Sequence, residues 1–183
     1  MSRLQILQIG PPVTAGLEHF SSLPLKTLHC GGPEWPQEEF DAIGNIETLQ
    51  LLDLTTNNFD AEKLGALANL KDLERLAIGT GYDRELRGTI SGLNRIAEMR
   101  SLKRLTVLGR LKTEDLRALV SMDQLESLTV RGASWQKSEI QKMQHMKNLK
   151  YAGFDSMAIS VEDYDLLTAA GIEVEHEGLT GRS

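Results

Sequence analysis

The chain has 183 residues, 40% of them hydrophobic and 25% charged, which is enough apolar material for one sizeable core and too much for a disordered chain. A formal charge of -6 at pH 7 and a pI near 5.3 argue against a surface built to grip nucleic acid. No apolar run reaches the roughly 18 residues of a membrane-spanning helix, and the lone Cys30 rules out an internal disulfide.

The opening MSRLQILQIG lacks the longer apolar core of a secretory signal and reads as a first strand from Leu4. LKTLHC at Leu25 repeats the phrase more loosely, with Cys30 a small side chain bound for the core. Five clearer versions follow: LQLLDL at Leu49, LERLAI at Leu73, LKRLTV at Leu102, LESLTV at Leu125 and LKYAGF at Leu149. AAGIEV at Ala169 closes the series. Each carries apolar or small residues at its positions 1, 4 and 6, and successive starts lie 21, 24, 24, 29, 23, 24 and 20 residues apart.

Parallel strands need crossover segments, and the intervening sequence supplies them. Leu64, Leu67 and Leu70, Ile96 and Met99, and Met143, Met146 and Leu149 have helical spacing and form packed stripes. Ser138 with Gln141, and Ser160 with Asp163, have the spacing of capping boxes. Asn57 in TTNNFD suits a strand exit, where its side chain satisfies backbone groups. The longest interval contains GTGYDRELRG, Gly79 to Gly88, which reads as an irregular loop projecting from the repeat edge. Residues 1–24 read as an adapted N-terminal cap, and residues 169–183 as a C-terminal cap and tail.

The array resembles the leucine-rich repeat family over nearly the whole chain, with Ala152 standing where the usual leucine is expected. The resemblance implies an α/β fold: a single leucine-rich repeat domain over 1–183, about eight units forming a solenoid with a curved parallel sheet and outer helices. It also implies that the concave sheet face and the strand-exit loops bind a partner.

Alternation along a strand assigns positions 3, 5 and 7 to that face. Position 3 reads Ile6, Thr27, Leu51, Arg75, Arg104, Ser127, Tyr151 and Gly171. Position 5 reads Gln8, His29, Asp53, Ala77, Thr106, Thr129, Gly153 and Glu173, and position 7 reads Gly10, Gly31, Thr55, Gly79, Leu108, Arg131, Asp155 and Glu175. The protein-binding candidates among them are Arg75, Arg104, Leu108, Arg131, Tyr151 and Asp155, since arginine and tyrosine join contact area to directed polar bonds. The plainer reading is a solvated face on which Arg131 pairs with Asp155. Trp35, Trp135 and Tyr82 sit at strand exits and are further protein-binding candidates. Covering the end of the core is the preferred role for the two indoles, and partner contact for Tyr82.

Catalytic signatures such as HExxH, CxxC, GxxxxGK and GxSxG are missing, and His19, His29, His145 and His176 are scattered through the repeats. The expectation is a noncatalytic protein–protein interaction module without metal or cofactor: an adaptor, regulator, toxin-neutralising protein or microbial effector. It is expected to be cytoplasmic and monomeric before it meets a protein partner, with no nucleic acid or membrane involved. Two alternatives stay open, an enzyme such as a hydrolase centred on His29 and Asp53, and a structural self-assembly module.

Overall fold

The computed structural model describes residues 4–10, 16–32, 35–56, 58–80, 88–155 and 159–176. Asn57, Tyr82 and the LTGRS tail lie outside the described residues, as does most of the GTGYDRELRG segment. The strands are β1 (Ile6–Ile9), β2 (Thr27–Gly31), β3 (Leu51–Thr56), β4 (Arg75–Thr80), β5 (Thr89–Ile90), β6 (Arg104–Leu108), β7 (Arg110–Leu111), β8 (Ser127–Arg131), β9 (Tyr151–Phe154) and β10 (Glu173–His176). The return segments hold helices α1 (Gln37–Gly44), α2 (Ala61–Leu67), α3 (Thr113–Leu119), α4 (Lys137–Met143) and α5 (Val161–Ala169), with 3-10 turns at Leu17–Phe20 and Leu93–Arg95.

Among the described residues, β1, β2, β3, β4, β6, β8, β9 and β10 form one parallel sheet whose spatial order is the chain order. The repeat phrase sets its register: Thr27, Leu51, Arg75, Arg104, Ser127 and Tyr151 stand opposite one another strand after strand. The last junction differs from expectation. Tyr151 faces Glu173 rather than Gly171, because Gly171 adopts φ 83 in the turn that closes α5 and the strand begins two residues later. A two-residue slip preserves side-chain faces, so Glu173 and Glu175 keep the side assigned to them.

From β2 to β9 the residues at positions 4 and 6, such as Leu76, Ile78, Leu105 and Val107, are none of them more than 5% exposed. They merge with Leu64, Leu67, Leu116, Leu119, Ile140 and Met143 from the helices in one continuous core. Each fully buried leucine stabilises the fold by about 1.5–3 kcal/mol. Leu4, expected in the core, is 40% exposed instead, because among the described residues β1 is the outer strand and has a neighbour on one side only. Close stacking of the return segments also requires Gly44, where a Cβ would come 2.4 Å from the Ala66 carbonyl oxygen.

Local signals decide where the helices start. Asp60 accepts from the Glu62 and Lys63 N–H groups at the head of α2, and Ser160 with Asp163 forms the expected capping box on α5. Ser138 does not cap α4. That helix begins at Lys137, which puts Ser138 inside the first turn. Ile96 and Met99 are buried as a packed stripe should be, but only a 3-10 turn precedes them. Downstream of the undescribed segment, β5 pairs with β7 and Phe59 bridges to Ile90, so the long interval ends in a second small sheet.

Three carboxylates at the third residue of their helices are buried: Glu39, Asp115 and Glu139. Glu39 accepts from the Gly16 and Leu17 N–H groups, each at 2.9 Å, and Asp115 from those of Gly92 and Leu93 at 2.8 and 3.0 Å. Each of these two acids therefore satisfies the N–H groups that open the preceding unit's 3-10 turn and have no partner within it. Glu139 has the Arg117 guanidinium 3.7 Å away.

Candidate functional site

The face opposite the core is the side of the sheet that the helices leave open, and it collects the predicted contact residues. Arg75 stands directly opposite Arg104 on β4 and β6, and both are exposed. Thr106 pairs with Thr129, Leu108 with Arg131, and Ser127 with Tyr151. Leu108 also borders the bare backbone of Gly79, so an apolar side chain lies across two strands there. A hollow of about 350 Å³ lies among Arg104, Glu126, Ser127, Lys150 and Tyr151.

Several of these groups already have partners within the chain. The Tyr151 hydroxyl donates to the Glu175 carboxylate, and the Asp155 carboxylate accepts the Gly132 N–H, which ties down the exit turn after β8. Arg131 is half-buried and engaged as well. Next to the open column, Lys103 meets Glu74 at 3.1 Å and Lys150 meets Glu126 at 3.2 Å, each pair linking neighbouring strands. The Arg75 and Arg104 guanidiniums have no such neutralising partner among the described residues.

Like charges facing each other across strands destabilise a sheet by a few tenths to about 1 kcal/mol. Replacing Arg104 by glutamine is therefore expected to leave stability unchanged or raise it by up to about 1 kcal/mol. Urea midpoints of the variant and wild type measure this, and a loss above that range would show that Arg104 is held by a bond inside the protein.

The aromatic candidates separate. Trp35 is only 2% exposed and belongs to the core, in line with the covering role preferred for it, so its place among the contact candidates is corrected. Its ring lies against Gly32. Trp135 is half-buried and packs edge-on to Phe154, with ring centroids 5.6 Å apart, which leaves part of it at the surface beside the strand exits.

His29 Nδ1 lies 3.4 Å from Asp53 Oδ2 on neighbouring strands, as their shared face requires. They border an open hollow of about 280 Å³ with Gln8, Gly10, Gly31 and Thr55. The nearby thiol is unsuited to act as a nucleophile. Cys30 points into the core at 5% exposure, and its pKa is pushed far above the ordinary thiol range, chiefly by burial and further by the negative charges of Asp53 and Glu39. Among the described residues no cluster of three His, Cys, Asp or Glu could hold a metal ion, and no helix is long and apolar enough to cross a membrane.

The raised pKa gives a pH dependence with a definite sign. Folded Cys30 keeps its proton while the unfolded thiol ionises above about pH 8.5. The unfolded state then binds fewer protons, so stability falls as pH rises past that point, by about 2 kcal/mol at pH 10. Cys30→Ala is expected to be less stable than wild type at pH 7 but to have a shallower alkaline decline. Urea titrations of both proteins between pH 7 and 10 measure it, and parallel declines would contradict it.

No family profile and no curated protein matches the chain. Among solved structures the chain is similar to an internalin from Listeria monocytogenes, with a TM-score of 0.64 over 96% of this chain, at 19% sequence identity. The fold is leucine-rich-repeat-like. The chain spans about half of that internalin, 48% of its length, and at this identity the likeness speaks for the fold alone.

Sequence reasoning missed the buried carboxylates as a class. Their signal was available, because acids recur at Asp115, Glu139 and Asp163, one repeat apart and always just inside the return helix.

Proposed function

We propose that the chain is a noncatalytic protein-binding module: a leucine-rich repeat solenoid, one domain with adapted ends, that meets its partner on the concave face of the sheet. The observation that carries this reading is the column of unlike side chains, Leu51, Arg75, Arg104, Ser127 and Tyr151, held in unbroken register on five consecutive strands of the main sheet. A rigid sheet distributes contacts over several repeats, and specificity then comes from their arrangement. Leu108 and the exposed edge of Trp135 extend the surface toward the strand exits.

A catalytic reading has less to rest on. His29 and Asp53 form an acid–base pair, but acid–base catalysis also needs a reacting group held in place beside it, and the Cys30 thiol is turned into the core. Adaptor, regulatory, toxin-neutralising and effector roles all use the same binding act.

The test is affinity capture from the native organism with wild type and an Arg104→Ala, Arg131→Ala, Tyr151→Ala variant whose circular dichroism matches wild type. A validated partner is expected to be lost or strongly depleted on the variant. Equal recovery on both proteins would place the binding site elsewhere.

A further inference from the structure

We infer that the partner presents an acidic helix to this face, with two carboxylates one helical turn apart taken up by Arg75 and Arg104. The inference rests on the protein-binding reading and adds the chemistry of the partner.

The charge arrangement is the first argument. Arg75 and Arg104 are exposed, in register on adjacent strands, and their guanidiniums have no partner among the described residues. The cations around them are matched: Lys103 is held by Glu74 and Lys150 by Glu126, while Arg131 is engaged. Asp53, on the next strand, is held by His29. Opposed like charges cost stability, and a planar guanidinium is suited to grip a carboxylate through two parallel hydrogen bonds.

Spacing is the second argument. Neighbouring strands lie about 4.8 Å apart, and an α-helix advances about 5.4 Å per turn. A helix laid across the strands therefore brings roughly one turn to each strand, with carboxylates at i and i+3 or i+4 reaching Arg75 and Arg104. An extended chain repeats its same-side residues about every 6.6 Å and falls out of step within two strands. Leu51 offers an apolar seat one turn before the arginines, and the hollow bounded by Arg104 and Tyr151 receives a side chain one or two turns after them. A nucleic acid strand following the same path would carry its phosphates toward Asp53, Glu126 and Glu173, which the helix need not do.

The probe is a display library of helical peptides about five turns long, with one face randomised, selected against the full chain. Selected helices are expected to carry Asp or Glu at two positions three or four apart. They should lose at least about tenfold in affinity on an Arg75→Ala, Arg104→Ala double variant whose circular dichroism and melting temperature match wild type. Failure to select any helix, selection of helices without the acidic pair, or binding indifferent to the double variant would overturn the inference. So would an oligonucleotide that binds more tightly than every helix with the same arginine dependence.

Leu51→Asp and Tyr151→Ala variants separate this inference from the reading beneath it. Helices sensitive to these two but not to the arginine variant would keep the binding face and remove the acidic partner. Helices indifferent to all four substitutions would count against the binding face itself.

Discussion

Replacing Gly92 by alanine is expected to destabilise the protein by about 4 kcal/mol, or to prevent folding. Gly92 adopts φ 84, a left-handed conformation that costs an L-residue about 1–2 kcal/mol. Its Cβ would also lie 2.4 Å from the Ala61 Cα and 2.8 Å from the Ala61 nitrogen. Those are backbone atoms at the start of α2, so relief requires moving a helix. The movement would also draw the Gly92 and Leu93 N–H groups off Asp115. Gly65→Ala is the control. Nothing stands within 4 Å of its Cβ position, and alanine is favoured inside a helix, so it should stabilise by about 0.5–1 kcal/mol. Urea unfolding of the two variants should give opposite signs, and a Gly92→Ala protein within about 1 kcal/mol of wild type would refute the close approach.

Asp115→Ala is expected to cost about 3 kcal/mol. The side chain is 3% exposed and supplies both acceptor bonds to the start of the Leu93–Arg95 turn. Removing it leaves two N–H groups without their acceptor, each costing about 1–3 kcal/mol when left unsatisfied. Asp115→Asn retains an acceptor at Oδ1 and should cost about half as much. Its amide nitrogen would occupy the place of Oδ2, which is buried with no hydrogen-bond partner among the described residues. Equal losses for the two variants, measured by urea unfolding, would show that the negative charge outweighs the acceptor geometry.

The fold was legible because its information is periodic. Leu at positions 1 and 4 with Leu, Ile or Val at position 6, recurring every two dozen residues or so, specifies a strand, its inward face and its neighbour together. Every junction from β1 to β9 in the main sheet follows that register. The signal faded where one backbone conformation intervened. Gly171 delays β10 by two residues, a consequence of its left-handed turn that no hydrophobic pattern records. The β5–β7 pair escaped notice for a similar reason, since two-residue strands are too short to show alternation.

Placement of the candidate site was legible, but its internal pairing was not. The columns put Arg75, Arg104, Arg131 and Tyr151 on one face because alternation fixes that much. Whether a given arginine is already occupied depends on rotamers and on neighbours brought from other repeats. That distinction, Arg131 engaged and the other two guanidiniums unmatched among the described residues, gives the surface its chemical preference. Trp35 shows the same limit: covering the core is the preferred role for a strand-exit indole, but only the packing around Gly32 separates it from a contact.

Photo-cross-linking from two positions tests the binding face most directly. A cross-linking residue at Thr106, in the middle of the open face, is compared with one at Lys142, exposed on α4 across the core. In an extract of the native organism, the account expects one defined protein to be trapped from position 106 and not from position 142. Trapping from position 142 alone would put the interface on the helices and contradict it.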